Sequence, residues 1–307
     1  MKDKSFKSIS EQLKILSDKN LSFINEADAA QKLSNFGYYE IINGYRQPFM
    51  KDGLYKEGTT FDDVFALYYF DSKLRPTVMS ALEYAEAFLK QKLALTLGEK
   101  YGDKFENYMS TEVFMKGEKL KCPNPSKGML YSRDLFLYKM SDIRYGRSDQ
   151  FKIDPYNHYR RCYENVPPWI LVKGMSFGNL RTAIRLLKPE DKRLFIQRVY
   201  DTDVYEEHTE TDIHRLFFET IKIIRKYRNR VAHGGRIYNY FPDVGFTYIN
   251  ILHVSADVSK TAIDKNKKHS VSLQLLFTAI NLWQSKYSSA MFKIGLNEAV
   301  KGYSNKW

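Results

Sequence analysis

Ile221-Lys-Ile-Ile-Arg-Lys-Tyr-Arg228-Asn229-Arg-Val-Ala-His233-Gly-Gly235 decides the reading of this chain. Together with the residues before it, the run places apolar side chains at Ile213, Phe217, Thr220/Ile221, Ile224 and Val231. That spacing predicts an amphipathic helix from about Thr211 to Ala232, stopped by Gly234 and Gly235. An arginine followed four to six residues later by a histidine is expected about once by chance in a chain of this composition, whereas the tighter Arg-Asn-three-residues-His form is expected only about twice in a hundred such chains. The run is therefore the candidate chemical site, set against the plainer reading of a helix C-terminus decorated with cations, Asn and Gly.

Arg228 falls on the buried stripe, four residues after Ile224 and three before Val231, so its guanidinium either snorkels out or is held partly buried against a partner. At about 100° per residue, Asn229 and His233 share a face with Lys222 and Arg225/Lys226, while Arg228 points roughly 140° away from His233. One copy of the helix does not join the two side chains unless its last turn distorts. Two copies meeting across a dyad would, which predicts a composite site in a homodimer. His233 sits in the last turn, at the negative end of the helix dipole, a position that suits a proton-carrying side chain.

Composition narrows the partner. The 307 residues carry a formal charge of +12, with 23 tyrosines and 20 phenylalanines, and the pI is near 9.3. Cations for phosphates and aromatics for bases point to RNA rather than to a small acidic substrate. Cys122 and Cys162 stand far apart without metal-ligand spacing, which excludes a disulfide-stapled fold. The N-terminus lacks an apolar export core and no apolar run is long enough to span a membrane, so the expectation is a cytoplasmic protein without membrane contact.

Helical patterns dominate, and the fold class expected is mainly α. Ser8 and Glu11 form a capping box, Asn25 caps a helix ending at Gly37, and Thr60 with Asp63 opens a helix from Phe61 to about Lys73. Pro76 then suits the first turn of a second helix, Thr77 to Leu97, closed by Gly98. Residues 99–130 and 145–168 read as loop-rich. Ser176 caps a helix through Leu187, Pro189 starts one running to Tyr200, a short strand is possible at Phe246–Val254, and a last helix runs from Val271 to about Phe292. No internal repeat is visible.

Three further segments accompany the Arg-Asn/His run: Phe36-Gly-Tyr-Tyr-Glu-Ile-Ile-Asn-Gly-Tyr-Arg-Gln-Pro-Phe49; Leu67-Tyr-Tyr-Phe-Asp71-Ser-Lys-Leu-Arg75 with Ala81-Leu-Glu83-Tyr-Ala-Glu86; and Pro168-Trp169-Ile-Leu-Val-Lys-Gly-Met-Ser176-Phe-Gly178. In this order they resemble the AbiD/AbiF-type family of bacterial abortive-infection proteins, over most of residues 30–240. The resemblance implies an N-terminal helical region, taken as 1–130, and a HEPN-like helical bundle, taken as 131–307. It also implies metal-independent endoribonuclease chemistry without a cofactor, in which Arg228, Asn229 and His233 form the catalytic set. The ribose 2′-OH would attack its own phosphate and leave 2′,3′-cyclic phosphate ends. By the same resemblance the protein would be a phage-defence toxin held in check by a small noncoding antitoxin RNA. The chain departs from the family pattern at Gly234-Gly235, where another His or polar residue is common, and in carrying Glu40 and Asn43 within the first segment.

Tyr45 and Arg46, with Tyr38, Tyr39 and Phe49, are candidates for base stacking and backbone clamping, against the alternative that they pack a helix hairpin. Arg225, Arg230 and Arg236 are further candidate RNA contacts. Asp71, Arg75, Glu83 and Glu86 read as buried ion pairs at helix contacts rather than a carboxylate catalyst. Glu206, Glu207, His208, Glu210, Asp212 and His214 read as an acid-rich first turn rather than a metal site, and Lys265, Lys267 and Lys268 as a solvated loop. The competing function classes are a non-catalytic RNA-binding module, and a toxin silenced by a protein partner or by nucleotide transfer, with Tyr238 as a possible acceptor.

Overall fold

The computed structural model describes residues 5–122, 128–265 and 271–304, so that Lys267 and Lys268 lie outside the described residues and only the backbone of Lys265 is described. Helices α1 (Ile9–Ser17) and α2 (Glu26–Phe36) precede a π-helical turn at Tyr39–Asn43 and a two-stranded hairpin, β1 (Met50–Lys51) with β2 (Leu54–Tyr55). After the long α3 (Phe61–Tyr101) come α4 (Phe105–Tyr108), a second antiparallel pair, β3 (Lys119–Lys121) with β4 (Met129–Tyr131), then α5 (Ser132–Tyr145), α6 (Tyr156–Tyr163) and α7 (Pro168–Leu171). Next are α8 (Phe177–Leu186), α9 (Pro189–Gln197), α10 (Thr202–Glu206) and α11 (Glu210–Ala232). The chain closes with α12 (Asn250–Ser255), α13 (Lys260–Lys265), α14 (Leu273–Asn281) and α15 (Tyr287–Ser304). The protein is mainly helical, and among the described residues no helix is long and apolar enough to cross a membrane.

Two compact units interleave along the sequence. The first unit takes the chain up to Met79, then Arg228–Tyr240, then the tract from Met291; the second takes Ser80–Tyr227 and Phe241–Ala290. In the first, the amphipathic spacing of α1 and α2 buries Leu13, Leu16, Ala29 and Leu33 against Ile41, Ile42, Tyr45, Phe61 and Val64. Ser8 accepts from the Glu11 amide while Glu11 reaches back to the Ser8 amide, and Asn25 caps α2 through the Asp28 amide. Gly37 ends α2 at φ +85°, a conformation that glycine adopts without strain. Near the C-terminus, a Cβ on Gly295 of α15 would lie 2.6 Å from Thr77 of α3, so glycine is what allows that approach.

In the second unit, Leu82, Ala85, Leu89, Leu93 and Leu97 form one buried stripe of α3 at three- and four-residue spacing. Residues on α8, α9, α11 and α14 are buried in the same unit, among them Leu180, Phe195, Phe217, Ile224 and Leu276. Each such leucine contributes about 1.5–3 kcal/mol relative to exposure.

Four expectations fail, the first three for a physical reason visible in the packing. Phe61–Lys73 and Thr77–Leu97 are one helix with Pro76 inside it, ending at Tyr101 rather than at Gly98. Proline removes one amide from the ladder, and buried residues on both sides of it, Val64 and Leu74 before and Val78 and Ala81 after, hold the helix continuous. The tract Phe246–Val254 forms no strand, because its buried positions Ile249, Leu252, His253 and Ala256 repeat with helical spacing, and α12 forms there. The last helix is broken, since residues 282–284 pair with 199–201: the Gln284 amide donates to Val199 O at 2.8 Å, and Tyr200 bridges Trp283. Finally, the loop-rich reading of 145–168 misses α6, and 99–130 contains α4 and one strand of a hairpin.

Candidate functional site

Helix α11 buries Ile213, Leu216, Phe217, Thr220, Ile221, Ile223, Ile224 and Tyr227, and its solvent side carries the cations. Its end is a Schellman cap. The Gly234 amide donates to Val231 O at 2.9 Å and the Gly235 amide to Arg230 O at 2.8 Å, with Gly234 at φ +68°. Both bonds satisfy carbonyls that the helix end would orphan. His233 is therefore the cap residue itself, exposed to solvent, and the helix-end reading of the sequence is realised at the backbone.

What holds the chain beyond the cap is Asp71 on α3, which is fully buried. One carboxylate oxygen accepts from the amides of Ile237 at 2.9 Å and Tyr238 at 2.6 Å. The other accepts from the Tyr45 hydroxyl at 2.6 Å and lies 3.5 Å from Arg75 Nε. Arg75 also donates through Nη1 to Gly234 O at 3.0 Å. A charged acceptor with that many donors is about twice as effective per bond as a neutral one. Tyr45 of the first sequence segment and Asp71 and Arg75 of the second thus converge on the loop that follows the Arg-Asn/His run, all within the first unit.

The candidate residues divide accordingly. Tyr45 is buried at 3 % exposure, with burial and then its bond to Asp71 pushing its hydroxyl above the ordinary tyrosine range, so its ring offers no face for a base. Ile41 and Ile42 are likewise core residues, and Arg46 is half-buried. Arg230 stacks over Tyr240 at 5.1 Å and donates to Arg236 O at 3.1 Å, while Arg236 lies over Tyr45 at 5.7 Å. Asn229 is exposed and Arg228 half-buried. The Nε of Arg228 is buried without a hydrogen-bond partner. Among the described residues, none of Arg228, Arg230 and Arg236 has a carboxylate at ion-pair distance, and no hydrogen bond joins the side chains of Arg228 and His233. The result is a cluster of guanidiniums and one imidazole around a helix end, with the buried Asp71 carboxylate already saturated. Such a cluster is suited to a polyanion, and to phosphate above all.

Other polar groups are structural. Glu86 pairs with Lys90 at 2.8 Å, and Glu83 is exposed. Glu210 bonds Arg193 at 3.0 Å and lies 3.7 Å from His214, whose imidazole is held below its usual value chiefly by burial. Among the described residues, no three potential ligands are placed to hold a metal ion. Tyr238 is half-buried with its amide fixed on Asp71. No pattern among neighbouring residues signals that Asp71 bonds the loop at Ile237. An acid on the apolar side of a long helix is the signal that marked it as buried and paired.

The family model described as "Abi-like protein" matches residues 31–239, more than half of the chain. No curated protein and no solved structure matches.

Proposed function

The chain belongs to the Abi-like family, and on that premise we propose that it is a phage-defence protein whose Arg228–His233 helix end binds and cleaves RNA without a metal. The observation that carries the proposal is Arg228, half-buried, its Nε unpartnered and, among the described residues, no carboxylate at ion-pair distance, on the same helix end as an exposed His233. A guanidinium left unneutralised in partial burial costs free energy unless an anion arrives. The Schellman cap and the Asp71 anchor would keep that end in one conformation, as preorganised charge stabilisation requires.

In this reading the ribose 2′-oxygen forms a bond to its own phosphorus while the bond to the 5′-oxygen breaks. One base accepts the 2′ proton and one acid supplies the proton that the 5′-oxygen takes. The nucleophile is already tethered, so the protein need only move protons and stabilise charge. Arg228 would hold the phosphorane oxygens, Asn229 would orient the phosphate or the imidazole, and His233 would donate or accept a proton. Because Arg228 and His233 stand roughly 140° apart on one helix, a second copy of the chain is the natural source of the complementary partner. A small RNA that occupies the same cations would hold the activity in check.

The test is expression of the native protein beside His233→Ala and Arg228→Ala, with analysis of bound and cleaved RNA. Growth arrest confined to the native protein, with 2′,3′-cyclic phosphate ends that form in the presence of EDTA, is the expected result. Free 3′-hydroxyl ends would overturn the chemistry. Equal RNA binding with no cleavage by any of the three would leave a binding module.

A further inference from the structure

Outside the helix end described above, the second unit carries a groove of about 390 Å³ between α8 and α11. Arg181 and Arg185 on α8 face Lys222, Arg225 and Lys226 on α11, with Phe218 beside them. Helical spacing gathers the cations of each helix on one side of it. Arg181 and Arg185 are four residues apart, Lys222 and Arg225/Lys226 three and four apart, so each helix presents its cations in steps of about 6 Å on one side.

Five cations meet few anions there. Arg185 pairs with Glu118 at 2.7 Å and Lys226 with Asp243 at 2.6 Å, both carboxylates being mostly exposed. Among the described residues, Arg181, Lys222 and Arg225 have no ion-pair partner. Burial, followed by the like charges of Arg225 and Arg185, lowers the Arg181 value from the ordinary arginine range. The Arg185 charge also adds to burial in lowering the Lys192 value. A fold gains nothing from crowding like charges along one groove.

We propose that this groove is a docking site for the phosphate backbone of a single-stranded RNA segment, separate from the Arg228–His233 centre. The proposal rests on the reading of the protein as RNA-binding and deepens it. Guanidinium forks take phosphate oxygens in pairs, the lysines add point charges, and Phe218 supplies an aromatic face for a base. The groove lining holds no Asn, Gln or carboxylate to match an adenine or cytosine edge, so binding depends weakly on sequence and steeply on salt.

The test is fluorescence anisotropy of the full chain with a labelled oligouridylate of about 12 nucleotides, over a salt series and with uridine monophosphate as competitor. Arg181→Gln/Arg225→Gln is expected to weaken binding about tenfold and to lower the salt slope by about 1.4, the loss of two single-strand phosphate contacts. Lys14→Gln/Lys51→Gln, which removes two exposed charges on the other unit, should leave both unchanged. If the native protein binds the oligomer and the groove variant binds it as tightly and as steeply, the groove assignment is overturned while RNA binding stands. If the native protein binds no RNA, both readings fall. An oligomer no tighter than the mononucleotide also overturns a backbone site. Should the double variant fold poorly, photo-crosslinking of a 4-thiouridine oligomer to the native protein decides: adducts on Phe218 and the neighbouring α11 peptide are expected, and adducts only elsewhere overturn the proposal.

Discussion

Replacing Asp71 with alanine removes the acceptor of three hydrogen bonds at once: those from the Ile237 amide, the Tyr238 amide and the Tyr45 hydroxyl. Ile237 is 2 % and Tyr45 3 % exposed, so at least two of these donors cannot turn to water. A buried donor left unsatisfied costs about 1–3 kcal/mol. Arg75, whose side chain is 23 % exposed, can be partly resolvated, and the penalty of burying the carboxylate is itself relieved. The expected loss for Asp71→Ala is about 4 kcal/mol, within the usual range for breaking a buried pair. Asp71→Asn keeps an oxygen for the two amides and exchanges charged for neutral bonds, a loss of about 1 kcal/mol per bond and roughly 2–3 in all. Tyr45→Phe should cost about 1–2 kcal/mol, and the Tyr45→Phe/Asp71→Asn pair should deviate from additivity by about 0.5 kcal/mol or more, since the residues share a bond. Chemical denaturation gives the totals, and hydrogen exchange of the peptide covering residues 233–240 gives the location. In Asp71→Asn that peptide should lose roughly 30-fold or more of its protection, because each 1.4 kcal/mol is a factor of ten. Native protection in this peptide together with unchanged stability in Asp71→Ala would refute the idea that Asp71 anchors the loop.

Two smaller perturbations probe the helix cap and the buried histidines. Gly234→Ala places a Cβ at φ +68° in the helix cap and should cost about 1 kcal/mol, read as a lower denaturation midpoint with an unchanged slope; a neutral outcome would mean that the cap rearranges freely. His214 and His253 both have values lowered chiefly by burial. The folded state thus prefers the neutral imidazole, so the stability they contribute is complete above the unfolded value of about 6.5 and is lost as pH falls below it towards the folded values. Thermal melts should show a decline between about pH 6.5 and 5 that flattens in His214→Gln/His253→Gln, and an equally steep decline in the double variant would assign the effect to carboxylates.

The sequence by itself determined what local physics controls. Ser8 with Glu11, Asn25, Ser176 and the paired glycines at 234–235 marked helix ends, because capping is a bargain among residues a few positions apart. The stripe from Ile213 to Ile224 placed α11 and set Arg228 at its buried margin. Helical periodicity also carried the mainly α class, and four short segments were enough to place the chain in its family.

Tertiary structure decided the rest. Whether Pro76 ends a helix or is carried inside one depended on the apolar residues flanking it, which outweigh one missing amide bond. Whether residues 282–284 extend a helix depended on their pairing with 199–201. Tyr45, chosen as a base-stacking ring, is instead a core residue bonded to Asp71, and the loop after His233 is held by a carboxylate 166 residues away in sequence. Nor does spacing within α8 or within α11 reveal that Arg181 and Arg225 line one groove. Caps and stripes are written in neighbouring residues, whereas a buried anchor and a charged groove exist only where distant segments meet, and the free energy that brings them together comes from core burial, not from the polar residues that give the site its chemistry.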